Sequence, residues 1–101
     1  MTSQVGRVTE QQVADAVVAF LKDNHRRDAS LKDLMFYLPG KYLTLSDEDK
    51  ETQRHRKERK WHAVLRNIAA HAGQPGNAIT EGRLIKRQGG GYAIPQERAA
   101  A

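Results

Sequence analysis

Between Arg54 and Arg66 the chain carries six lysines and arginines, Arg54, Arg56, Lys57, Arg59, Lys60 and Arg66, against a single acid, Glu58. A guanidinium is a planar fork of fixed charge that pairs bidentately with phosphate or with the acceptor edge of guanine. The carboxamide of Asn67 matches adenine in the same two-pronged way. Wound at about 100° per residue, Trp61, Val64, Leu65, Ile68, Ala69 and Ala72 fall on one apolar stripe. The opposite side then holds Arg56, Arg59, Ala63, Arg66, Asn67 and Ala70 with no acid among them. Two alanines keep that side slim, which suits close approach to the floor of a nucleic-acid groove. Lys57 and Lys60 sit to its flanks, where phosphates would lie. The alternative is an amphipathic helix with an ordinary solvated face, but such faces mix both signs, as residues 47–51 do.

Other residue types offer less. Gly89-Gly90-Gly91 could cradle a phosphate, yet no helix-opening Gly-Lys-Ser/Thr follows. A turn between two short strands is the better account, with Arg83, Lys86 and Arg87 beside it as further backbone contacts. His55 and His62 stand seven apart, and His25 and His71 are scattered. No third ligand falls at zinc spacing, so neither metal nor cofactor is expected. Asp47, Glu48, Asp49 and Glu51 could in principle hold magnesium. Consecutive carboxylates in a first helical turn more often serve the helix dipole. With no Ser-His-Asp or nucleotide motif either, the pattern predicts a binding module and not an enzyme.

These residues need elements to position them. Thr9 and Gln12 read as a capping box opening a helix over residues 10–24, with Val13, Val17, Phe20 and Leu21 as its buried stripe. Ser30 and Asp33 open a second, with Leu31, Leu34, Met35 and Leu38 at helical spacing until Pro39-Gly40 stops it. Ser46 and Asp49 offer a third cap, and residues 47–72 contain no Pro or Gly. That stretch reads as one helix or two, ending at Gly73. After the loop 73–78, Arg83–Arg87 and Tyr92–Ile94 read as a hairpin closed by the glycines, with Pro95 ending its second strand. The expected organisation is a flexible segment 1–8, one domain over 9–95, and a disordered tail 96–101. The fold class is mostly α with a small β-hairpin: three to four helices and a C-terminal wing, the chain order of a winged helix-turn-helix.

Composition bounds the rest. A chain of 101 residues holds one core and needs no covalent staple. The lack of cysteine removes disulfides and thiolate chemistry. No apolar run reaches the roughly 18 residues of a membrane span, and the N-terminus lacks a secretory pattern. A cytoplasmic protein is expected. Residues 1–53 hold 7 Lys/Arg and 9 Asp/Glu, whereas residues 54–101 hold 10 and 3. An acidic half joined to a basic half points to a nucleic-acid face, or to a basic surface that only aids solubility.

Taken in order, the chain resembles the N-terminal winged-helix domain of Mrr-type restriction proteins and the similar domains of other modification-dependent nucleases. The resemblance covers roughly Val13 to Ile94. It rests on Leu31-Lys32-Asp33-Leu34, on Leu45-Ser46-Asp47-Glu48-Asp49, on Trp61 after a basic stretch, on Gly82-Arg83-Leu84-Ile85-Lys86-Arg87 and on Gly91-Tyr92-Ala93-Ile94. The loop Gln74–Ala78 is longer than in that pattern. The resemblance implies a DNA-reading module attached to a separate nuclease domain, in a restriction system or a regulatory protein. The expected partner is double-stranded DNA, with Arg56, Arg59, Arg66 and Asn67 at the bases and Arg54, Lys57, Lys60, Arg83, Lys86 and Arg87 at the backbone. A winged helix docking an acidic protein partner is the competing expectation.

Overall fold

The threonine before the first helix does what its spacing predicts. In the computed structural model, which describes residues 7–53 and 57–95, Thr9 Oγ1 accepts from the Gln12 amide at 3.0 Å and Gln12 Oε1 accepts from the Thr9 amide at 2.8 Å. This capping box opens α1 (Glu10–Asp23), which buries Val13, Ala14, Ala16, Val17, Phe20 and Leu21. The chain leaves α1 through His25 in the left-handed region (φ 54°), and the Arg26 amide closes onto Leu21 O at 2.9 Å. That tight exit feeds a two-residue strand, β1 (Asp28–Ala29), within a stretch too short and polar to read as a strand beforehand.

Ser30 caps α2 (Leu31–Tyr37) by accepting from the Asp33 amide at 3.1 Å. The box is one-sided, because Asp33 turns its carboxylate to Arg26 at 3.1 Å. Leu34 and Leu38 are fully buried, and the Pro39-Gly40 turn ends the element.

The largest departure from expectation lies between residues 47 and 59. Ser46 and Asp49 do form a reciprocal box: Ser46 Oγ accepts from the Asp49 amide, and the Asp49 carboxylate accepts from the Ser46 amide at 2.9 Å. Only a single turn follows, held by Lys50 N to Asp47 O and Glu51 N to Glu48 O. The chain then reverses, with Thr52 bridged to Arg59 and the Gln53 amide bonded to Glu58 O at 2.7 Å. The physical reason is that residues 50–60 contain no apolar side chain, so a helix there would bury nothing. Helix α3 (Lys60–Ala70) starts where Trp61 supplies the first core contact, and it buries Trp61, Val64, Leu65 and Ile68. Of the helix-compatible stretch 47–72, α3 therefore takes only Lys60–Ala70, and three helices stand among the described residues.

Strands β2 (Ile85–Lys86) and β3 (Tyr92–Ala93) form the expected hairpin, and β1 joins it to give a three-stranded antiparallel sheet in the order β1-β3-β2. Asp28 pairs Ala93 and Ala29 pairs Tyr92 on one side of β3, and Ile85 and Lys86 take the same two partners on the other. Gly91, at φ 93°, permits this closure. A Cβ there would lie 2.1 Å from Ala29 O, so the hairpin meets β1 only because this position has no side chain.

One core joins these parts, with Trp61 and Tyr92 its largest fully buried side chains. It extends further toward the N-terminus than expected. Val8 is buried and gives its amide to the Asp49 carboxylate at 2.9 Å, while Arg7 reaches Lys60 O. Residues 1–6 and 96–101, expected to be flexible ends, lie outside the described residues. Among the described residues no helix is long and apolar enough to cross a membrane.

Candidate nucleic-acid interface

Helix α3 is held from behind, which decides what its front presents. The Tyr92 hydroxyl donates to Leu65 O at 2.5 Å and accepts from the Ala69 amide at 3.0 Å, bridging two groups one helical turn apart. Burial pushes its pKa up to about 12, so it remains a neutral donor. Beyond the helix end, buried Asn77 gives its Nδ2 to Ile68 O at 2.9 Å and to Glu10 Oε1 at 3.0 Å, while its Oδ1 accepts from the Ile79 and Thr80 amides. Glu10 also meets His71 Nδ1 at 2.7 Å. These contacts fix the C-terminal end of α3 to the start of α1 and to the sheet.

The front of α3 is the predicted one over the length that is helical. Ala63, Arg66, Asn67 and Ala70 are half-buried or exposed, and Arg59 stands exposed at the N-cap. The Asn67 carboxamide has no partner among the described residues. Arg54 and Arg56 lie outside the described residues, and Lys57 stands before the helix in a left-handed backbone (φ 54°).

Acid does reach this surface, contrary to the helical-wheel expectation. Glu58, placed beside the helix by the chain reversal, accepts from the Arg66 guanidinium at 2.6 Å. Burial leaves that carboxylate side chain 20% exposed and the arginine 38%. The Arg66 Nε is buried without a partner. Arg59 folds back onto Lys50 O. Lys60 meets Glu51 at 2.9 Å and Glu48 at 3.7 Å, and the hydrogen bond it donates to Glu51, with both negative charges, holds its pKa above the ordinary lysine value.

The hairpin cations divide. Lys86 is exposed and makes no ion pair among the described residues, and it lines one groove with Arg66, Ala70, Leu31 and the glycine turn. Arg87 is committed to Asp28 at 3.1 Å and to Gly90 O at 3.1 Å, bracing the hairpin against β1. Arg83 is not brought to the α3 front. It pairs with Asp15 of α1 at 2.6 Å and with Glu81 at 3.1 Å, and it faces a separate groove beside Lys22, Arg26 and Arg27.

Two further residues belong to the front surface. His62 lines the groove that includes Lys32 of α2 and Arg59. Burial lowers its pKa; Glu58 opposes and Arg59 assists the shift, which favours a neutral ring able to donate and accept. Lys32, in the first turn of α2, is exposed and without an ion pair among the described residues. Lys32 drew no notice in the sequence, because its proximity to α3 depends on how α2 packs, and His62 was weighed there only as a metal ligand. Three of the four clustered acids are spent internally: Asp49 is fully buried on Val8 and Ser46, and Glu48 and Glu51 hold Lys60. Among the described residues no group of His, Asp and Glu is placed to hold a metal ion. No known family, curated protein or solved structure matches the chain.

Proposed function

We propose that this chain is a winged-helix module that binds duplex DNA, inserting the front of α3 into the major groove with the β2–β3 hairpin as its wing. The element order α1-β1-α2-α3-β2-β3 and the sheet order β1-β3-β2 support that fold reading. The observation that carries the functional reading is the slim front of α3, where Ala63 and Ala70 flank the unpartnered carboxamide of Asn67 beside Arg66. On this reading Asn67 and Arg66 face bases, and Arg59 lies at the groove entrance. Lys57, Lys86 and Lys32 contact phosphates, joined by Arg54 and Arg56 as the basic stretch is drawn onto the duplex. Arg83, Arg87 and Lys60 instead hold the fold together. The module reads DNA in the cytoplasm, and the resemblance to Mrr-type domains makes a nuclease domain its natural companion.

Fluorescence anisotropy of a labelled duplex across a salt series tests this. About three to five phosphate contacts give a log–log slope of about −3 to −4.5. Replacing Asn67 with Ala costs about 1–3 kcal/mol on a selected site and little on random duplex. A flat salt response overturns the reading.

A further inference from the structure

A groove of about 460 Å³ lies between α2 and the N-terminal end of α3, to one side of the proposed DNA-facing strip. Met35, Phe36, Pro39, Leu45 and Trp61 give it an apolar floor and wall. Phe36 is 76% exposed, the most exposed large apolar side chain among the described residues. Its ring meets Tyr37 edge-on at 4.8 Å, and Tyr37 stacks on buried Phe20, so it is presented from a rigid base. The charged residues lining the groove are all cations: Lys32, Lys50 and Arg59. None of the three pairs with a carboxylate among the described residues. An exposed aromatic and a methionine over an apolar trough, with an arginine at the rim, is the composition of a protein-binding patch.

We infer that this groove docks a short acidic segment of a partner protein, one large apolar side chain entering the trough and flanking Asp or Glu meeting Lys32, Lys50 and Arg59. Charge complementarity selects the acidic partner, since a neutral or basic segment would leave three cations facing it unanswered. The trough selects protein over nucleic acid, because its walls are apolar side chains with few groups to hydrogen-bond a base edge. This inference goes beyond the DNA-binding reading. The groove shares Lys32, Arg59 and His62 with the proposed DNA-facing surface, so an occupant there would lie beside a bound duplex.

The test is a display library of short random peptides panned on the full chain, with counter-selection against Phe36→Ala. Phe36 is exposed, so this variant keeps the fold, which an unchanged thermal melt verifies. The expected clones carry a large apolar residue among acids and perturb the fluorescence of Trp61, the single tryptophan. They bind Phe36→Ala about tenfold more weakly and the double variant Lys32→Glu, Lys50→Glu at least as weakly. Duplex affinity of Phe36→Ala stays within about twofold of wild type, which separates this result from the fate of the DNA reading. Failure of any clone to survive counter-selection overturns the inference, as does enrichment of neutral or basic clones. So does protection of Phe36 by an oligonucleotide, or a dimer of the chain that Phe36→Ala dissolves.

Discussion

The two ends of α3 are fastened by different physics. At the C-terminal end the anchors are buried and largely neutral: the Tyr92 hydroxyl on Leu65 O and the Ala69 amide, and the Asn77 carboxamide on Ile68 O. At the N-terminal end buried Trp61 is joined by ion pairs near the surface, Lys60 with Glu51 and Glu48, while Glu58 reaches along the helix to Arg66. Buried hydrogen bonds are expensive to cut because the abandoned partner stays out of water. Surface pairs contribute little and weaken with salt. One end is therefore fixed by buried bonds, and the other adds to the Trp61 anchor a set of ion pairs that a competing anion is able to exchange.

That contrast is easiest to break at Asn77. Asn77→Ala strands the Ile68 carbonyl and the amides of Ile79 and Thr80, and a loss of about 2–4 kcal/mol is expected in denaturant unfolding. A loss below about 1 kcal/mol would show that water replaces the side chain and that this end is no firmer than the other. Tyr92→Phe removes only the hydroxyl and leaves the ring in the core. It should cost about 1–2 kcal/mol. Faster exchange of the Ala69 amide would locate the damage, and an unchanged amide would refute the bridging role.

Glu58→Gln tests the exchangeable end. Stability should move by less than about 1 kcal/mol, while duplex affinity rises about twofold to fivefold because Arg66 no longer has a carboxylate to leave. A fall in affinity would show that Glu58 positions Arg66 for DNA and does not compete for it. The smallest effect belongs to His62. Its pKa is lowered by burial, so the unfolded chain binds the proton more readily, and stability declines as pH drops below the ordinary histidine value and through the folded one. His62→Gln should flatten that part of the stability profile. A profile unchanged by the substitution assigns the slope elsewhere.

How much of this was legible in advance depends on whether a feature is local. The α1 and α2 starts were readable because Thr9 with Gln12 and Ser30 with Asp33 act across a few residues. The buried stripe of α3 was readable for the same reason from Trp61 to Ala69, although Ala72, expected on it, lies exposed beyond the helix. Strand β1 was not, since two polar-flanked residues become a strand only when β3 arrives beside them. The reversal at residues 50–59 was hidden by the absence of Pro and Gly, although the missing apolar side chains were a usable signal. In the candidate site, the outward placement of Arg66 and Asn67 followed from helical spacing. The partners of Arg66, Arg83 and Arg87 did not, because Glu58, Asp15 and Asp28 reach them through tertiary packing. Counting cations along a sequence thus overstates the charge a surface has to offer.

The hairpin tip carries one last consequence. A side chain at Gly91 would strike Ala29 O, whereas at Gly89 it would meet open space. The root of the hairpin is therefore locked by the body of the protein, while at its far edge Gly89 is constrained by its own backbone (φ 88°) and not by a neighbour. Related sequences would be free to lengthen that edge without redesigning the scaffold, so on the proposed DNA-binding reading changes in reach should accumulate at the tip and stop abruptly at Gly91.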